Sequence, residues 1–368
     1  MPSTSSHGRA FVASLIVVFA FGLASCKSKT AEEKPAHPTE APAEKVEVEI
    51  PPPPAAFPRL KIPPDNPVTP EKVALGHQLF FDARLSVDGS RSCYSCHQNE
   101  HGNGGETSLA VGAKEKQLTR HSPALWNTGY FEAFYWGGRA GSLEAQVKGA
   151  WGGGNMGVGK ENLSAKAAEL AKIKGYKEQF EKVFPGEGMT PDTIAKAIST
   201  YERVGFSCAK TAYDSFARGD AGALSDRQKQ GWSLFMGKGQ CAVCHAPPMF
   251  SSAMGVPGGV YYNVGIGTAG KADEEVDIGR AKVSGQDADW AAFKVPSLRN
   301  VSKSAPYFHD GSVATLAEAV KLMATGGIDN KNKTPLMADR GLTDDELAAI
   351  VTFLGALECG ELKQPELP

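Results

Sequence analysis

The chain has 368 residues, 39 Lys and Arg against 41 Asp and Glu, and a formal net charge of -2. No basic stripe interrupts that balance, so nucleic acid is not an expected partner, and a charged fraction of 22% is ordinary for a soluble surface. The length exceeds one typical domain and suggests two.

The N-terminus reads as a targeting segment. Arg9 supplies a positive flank, and the apolar run Phe11 to Gly22 is too short to span a bilayer comfortably. It ends at Leu23-Ala24-Ser25-Cys26, which resembles the lipobox of bacterial lipoproteins. Cys26 would then be lipidated and become the first mature residue; the alternative is an ordinary secretory signal that ends near a cysteine. Residues 1–26 are thus expected to be a lipoprotein signal peptide. The expected location is the periplasm, attached to a bacterial membrane, the outer one favoured, through the lipid alone. Residues 27–58 are rich in Ala, Pro, Glu and Lys and include Pro51-Pro52-Pro53-Pro54, so they read as a disordered tether.

A weak internal repeat follows. Thr69-Pro70-Glu71 opens a helix that runs into Gly76-His77-Gln78-Leu79-Phe80, and Ser225 caps another that reaches Gly231-Trp232-Ser233-Leu234-Phe235. Each block is followed by Cys-X-X-Cys-His: Cys93-Tyr94-Ser95-Cys96-His97 and Cys241-Ala242-Val243-Cys244-His245. That pentapeptide is the attachment site of c-type haem, because both thiols can add to the haem vinyl groups and the next residue can bind the iron. Zinc is the competing reading. It normally wants two cysteine pairs close together or a second histidine pair, and these two units lie far apart. Two covalent haems c are therefore expected, with Cys93, Cys96, Cys241 and Cys244 attaching them and His97 and His245 as proximal ligands. After four cysteines for haem and one for lipid, Cys208 and Cys359 remain. In an oxidising compartment these pair as a disulfide, or else stay as two separate buried thiols.

Further helical patterns occupy Ser164–Val183, Pro191–Val204 behind Thr190, and Leu347–Leu357 behind the capping box Thr343-Asp344-Asp345-Glu346. Trp151–Gly159 and Gly255–Gly267 read as glycine-rich loops. The fold is expected to be mainly α, with two tandem cytochrome c-like domains over 59–210 and 211–368. Each would enclose one haem.

Trp136-Gly137-Gly138-Arg139-Ala140 and Ser142-Leu143-Glu144-Ala145-Gln146 resemble the Trp-Asp-Gly-Arg-Ala…Leu-Glu-X-Gln block of bacterial dihaem cytochrome c peroxidases, a family that includes the MauG-type enzymes. Val295-Pro296-Ser297-Leu298-Arg299-Asn300 with Pro306-Tyr307-Phe308-His309-Asp310-Gly311 is similar to a second family block, and the likeness runs from about Ile62 to Leu357. The resemblance implies Met323 as the distal ligand of the second haem, where a thioether raises the potential and makes an electron store. MauG-type proteins have tyrosine there. Met323 as a helix core residue, and Met249 or Met254 as ligand, are the alternatives. Trp136 matches the tryptophan between the haems, with an aromatic packed at a domain interface as the plain reading.

Three positions depart from the family pattern. Val111-Gly112-Ala113-Lys114 lacks the histidine that many members place over the first haem, and His101 lies in a glycine-rich run, so an open or water-bound iron at His97 is expected. Gly154-Asn155-Met156-Gly157 carries Asn155 where a proton-shuttling glutamate is usual. An amide can hydrogen-bond peroxide but cannot titrate, so His121, or Gln146 with water, would substitute, or turnover would be slow. Arg120-His121-Ser122-Pro123 has His121 for the family's asparagine. Imidazole suits a hard cation poorly, so the interdomain calcium is doubtful, and His121 either lines the distal pocket or is a surface or hinge residue.

The resemblance implies a dihaem c-type peroxidase that reduces hydrogen peroxide to water. Its electrons would come from a small periplasmic cytochrome c or cupredoxin, and a homodimer is compatible with it. The alternatives are MauG-like oxidation of a protein or organic substrate through high-valent haem, and non-catalytic electron transfer.

Overall fold

A computed structural model describes residues 57–368. Cys26, the signal segment and nearly all of the tether lie outside the described residues.

The first helix, α1 (Pro70–Phe81), starts as its sequence dictates: the Thr69 side chain accepts from the Lys72 amide and Pro70 occupies the first turn. After α2 (Leu143–Gly152), α3 (Leu163–Leu170) and α4 (Lys174–Val183), α5 (Pro191–Gly205) returns across α1. The crossing is close because residue 76 is glycine; a Cβ there would collide with the Ala197 carbonyl. Leu75, Leu79 and Phe80 meet Ile194, Ile198 and Tyr201 in the resulting core.

The second half repeats this construction. After the short α6 (Ala212–Ala217), α7 (Asp226–Met236) is capped by Ser225. Beyond it come α8 (Ala281–Ser284) and α9 (Leu316–Ala324), and α10 (Asp344–Leu354) crosses α7. At that crossing Gly231 plays the part of Gly76, since a Cβ would run into the Ala349 carbonyl. Leu224, Phe235, Phe250, Ile350 and Phe353 fill the second core. The repeated Gly-X-X-Leu-Phe block is thus a helix-crossing element in both halves. The fold is mainly helical; the named strands are β1 (Tyr261–Tyr262) and β2 (Phe293–Lys294), paired antiparallel. No helix among the described residues is long and apolar enough to cross a membrane.

Two details differ from the sequence reading. The pattern over Ser164–Val183 is broken into α3 and α4 around Ala171–Ile173. An unbroken helix in the phase of Leu163, Ala167 and Leu170 would turn Lys174 and Lys177 inward; the break re-phases the stripe so that Tyr176 and Phe180 are buried. Trp151 belongs to the last turn of α2 and is buried in the first core.

The halves are tied together at several points. Cys208 and Cys359 form a disulfide, with Cα atoms 5.5 Å apart. Beyond it the tail returns to the first half: Asn99 exchanges two hydrogen bonds with the Leu362 backbone, at 2.8 and 2.9 Å, and Leu362 joins the first core. Within the second half, Arg299 is fully buried, forms two 2.8 Å bonds to the Asp214 carboxylate and donates to the Pro248 carbonyl. Removing one member of a buried, bidentate pair strands the other charge. D214N is accordingly expected to cost about 3–5 kcal/mol, read from denaturant unfolding of the holo-protein; a loss below about 1 kcal/mol would refute that role.

Candidate functional site

Each cysteine pair sits on a single 3-10 turn, Tyr94–Cys96 and Cys241–Val243, at the foot of a helix crossing. The following histidine is oriented in the same way in both halves. His97 Nδ1 lies 3.3 Å from the Asn103 carbonyl, and His245 Nδ1 lies 3.2 Å from the Phe250 carbonyl. A protonated Nδ1 donating to the carbonyl leaves the Nε2 lone pair for a metal. Desolvation pushes both imidazoles down to about 4, so they are neutral, the form that ligates iron.

A cavity of about 340 Å³ opens beside His97, a size in the range of cofactor and small-molecule sites. Its walls bring together His97, His121, Trp136, Gln146 and Asn155, which are far apart in sequence. Gln146 comes from α2, whose start is fixed by Ser142 accepting from the Ala145 amide. The Gln146 carbonyl accepts a 2.9 Å bond from the Tyr135 hydroxyl. Asn155 follows α2 and its carbonyl accepts from the Ala113 amide at 2.9 Å, so the segment without a histidine, 111–114, is pinned against Asn155. Gly112 permits that approach, since a Cβ would strike the Gly154 carbonyl. His121 is buried, not a surface residue: Nδ1 is 2.9 Å from the Thr107 carbonyl and its amide donates to the His309 carbonyl. Burial lowers its pKa.

Trp136 lies at the seam between the halves. Its indole donates to the His121 carbonyl at 2.8 Å, its own carbonyl accepts from the Lys294 amide, and its ring is 6.5 Å from that of His309. His101 does not line the cavity. Neither does Met323, which is half-buried on α9, while Met249 and Met254 are buried in the second half.

Tyr135, Arg139, Glu202 and Lys294 also line the cavity and were not singled out from sequence. Glu202 lay on a legible stripe, because Ala195, Ile198 and Glu202 fall on the buried face of α5. Lys294 gave no such signal. Its Nζ lies 3.2 Å from the Phe131 ring centroid, no described carboxylate pairs with it, and desolvation pushes it down to about 7. An ammonium left without an anion is a place for one, and haem brings two carboxylates.

Paired thiols, a neutral oriented imidazole, a cavity beside it and an unpaired lysine together fit haem. Among the described residues no three His, Cys, Asp or Glu side chains are grouped to hold a metal ion by themselves, so neither motif is built as a zinc site.

Fold and site therefore define a two-domain c-type cytochrome. Family models match in the same two places, di-haem cytochrome c peroxidase over residues 70–222 and cytochrome c over 228–358. A cytochrome-c peroxidase of Denitromonas iodatirespirans is 33% identical over 346 residues, covering 86% of this chain and 90% of that protein. The methylamine utilization protein MauG of Methylorubrum extorquens is 33% identical over 309 residues, covering 82% and 83%. The crystal structure of a MauG-like protein associated with microbial copper homeostasis superposes with a TM-score of 0.75 at 29% identity, covering 83% of this chain and 94% of that one. The chain belongs to the dihaem cytochrome c peroxidase and MauG family, and it carries two covalently bound haems c.

Replacing Cys241 and Cys244 by serine removes the anchors of one haem and leaves the other site intact. Haem content of the purified double variant, measured as pyridine haemochrome, is expected to fall to about half the wild-type value; an unchanged content would contradict the assignment.

Proposed function

We propose that the protein reduces hydrogen peroxide to water at the His97 haem, with electrons delivered through the His245 haem by a small cytochrome c or cupredoxin. The single observation that carries this reading is the cavity that His97 lines together with Gln146, Asn155, His121 and Trp136. What the bound haems supply is electron exchange at their irons; positioning, proton supply and water exclusion fall to the chain.

In this reading Gln146 and Asn155 hold peroxide by hydrogen bonds, because their amides donate and accept without titrating. Trp136 places an aromatic ring between the two halves on the electron path. Met323, with His245, would hold the iron of the electron-entry domain, and its thioether would raise the potential and leave no room for substrate there. Segment 111–114 carries no histidine that could hold the iron beside His97, so the first site would take peroxide without prior reduction. That same feature supports a second reading, MauG-like oxidation of another molecule at the same site. The domain limits of the proposal are 59–210 for the catalytic domain and 211–368 for electron entry.

Residues 1–26 act as a signal peptide and Cys26 is the lipidated first mature residue, with 27–58 as a tether that lets the catalytic body reach soluble donors from a periplasmic membrane surface. C26S is expected to move the protein from the membrane to the soluble periplasmic fraction; continued membrane association on fractionation would exclude the anchor.

Steady-state oxidation of a reduced small cytochrome c by peroxide tests the activity. Turnover is expected both from the fully oxidised enzyme and after addition of one electron. Activity only after reduction would mean that the first site is closed at rest, and none in either state would remove the peroxidase reading.

A further inference from the structure

We propose that Glu202 is the proton donor and acceptor of the His97 cavity, taking the role that Asn155 cannot fill. The inference rests on the peroxidase reading and deepens it.

Reduction of peroxide to two waters consumes two electrons and two protons. The electrons come from the donor protein. A proton must reach the departing oxygen as the O–O bond breaks, so some group in the cavity must hold a proton at neutral pH and release it. Most of the lining cannot. Gln146, Asn155, Ser122 and Thr119 do not titrate usefully. Arg120 is locked to Asp277 by bonds of 2.6 and 2.7 Å, and Arg139 is permanently charged with its guanidinium 3.4 Å from the Tyr135 ring centroid. The Tyr135 hydroxyl is committed to the Gln146 carbonyl, and burial raises its pKa further. His121 has Nδ1 tied to Thr107, and burial disfavours its charged form.

Glu202 differs from all of these. It lines the cavity, is only 5% exposed, and its Oε2 has no hydrogen-bond partner. A buried carboxyl oxygen without a partner is costly, and a native structure keeps one where something else is to bind or pass. It shares the cavity lining with Gln146 and Asn155, and α5, which carries it, packs against α2, which carries Gln146. The next residue, Arg203, pairs at 2.8 Å with Glu144, two positions before Gln146 on α2.

The charged and titratable groups around Glu202 are Arg203, Glu144, Tyr135, Tyr201 and Cys93, the last a thioether once haem is attached. Burial is the dominant influence on it, opposed by Arg203 and reinforced by Glu144, and the carboxyl is pushed up to about 8. Glu202 therefore carries its proton at neutral pH.

The balance follows directly. Glu202 passes its proton to the departing oxygen, giving the first water and a carboxylate. Two electrons from the donor and two protons from solvent then complete the turnover, one proton finishing the second water and the other restoring the acid. Because the protonated form is the active one, turnover should fall as pH rises through about 8.

The test uses wild-type, E202Q, E202D and K294M holo-proteins with two readouts: the absorption spectrum of the oxidised protein titrated with pH in the absence of peroxide, and peroxide-dependent oxidation of reduced cytochrome c across the same range. Wild type should show a spectral transition near 8 that E202Q lacks. E202Q turnover should be about 100-fold lower and flat with pH, while E202D should restore most of the rate and show the transition again, displaced from the wild-type pH. K294M should keep the transition. A transition that persists in E202Q, or that vanishes in K294M instead, overturns the proposal, as does an E202Q enzyme of wild-type rate and pH profile. If E202Q does not fold with haem, E202D decides: a displaced transition supports Glu202 and an unmoved one overturns it. A wild type without turnover removes the peroxidase reading and with it this role.

Discussion

Two close helix crossings hold the rest of the molecule in place. At Gly76 and at Gly231 one helix presses its backbone against the carbonyl of another, at Ala197 and Ala349, a distance that no side chain would allow. The contact brings the large apolar residues on either side into register and leaves a cysteine pair and a histidine at the foot of each crossing. Once there, the imidazoles are set by their own backbones, through Asn103 and Phe250. A glycine in a helix normally costs about 1 kcal/mol. Here it is retained twice because the packing on which the haem motifs stand needs it.

The two halves share a scaffold but differ in what surrounds it. Beside His97 the chain leaves a cavity lined by amides, a carboxyl, an ammonium and an indole. That half contributes α2 and the segments after it, and the other half contributes Lys294, Pro296 and Ser297 to the same wall. The seam is therefore part of the site. Trp136 is bonded on both sides of it, and the Arg120–Asp277 pair and the Tyr130–Gly255 backbone bond close it further. The Cys208–Cys359 disulfide limits how far the halves can separate. The spacing between the two haem motifs is thus set by packing and not by a chance encounter of the two domains.

Much of this was legible in the sequence, for identifiable reasons. Caps at Thr69, Thr190, Ser225 and Thr343 are local hydrogen-bonding chemistry, and the helices start where those residues say. The haem motifs are equally local. His121, Trp136, Gln146 and Asn155 could be named through family resemblance, and the structure places all four on one cavity with His97. Glu202 and Lys294 could not be named, because their meaning depends on what other elements bring near them. A glutamate on the buried stripe of α5 is legible as an anomaly, but nothing local says which cavity it meets. Lys294 sits in a two-residue strand, too short for a pattern. The break between α3 and α4 was missed for a related reason: 164–183 reads as helical throughout, and only the phase shift between Leu170 and Tyr176 marks the interruption.

The central claim is a division of labour between one open haem site and one closed one. Low-temperature electron paramagnetic resonance of the fully oxidised holo-protein tests it most directly, because spin state reports axial ligation at each iron. One high-spin signal from the His97 site and one low-spin signal from the His245 site, the latter altered in M323L, is the expected result. Two low-spin signals in the resting protein would contradict it, since both irons would then already hold a second ligand.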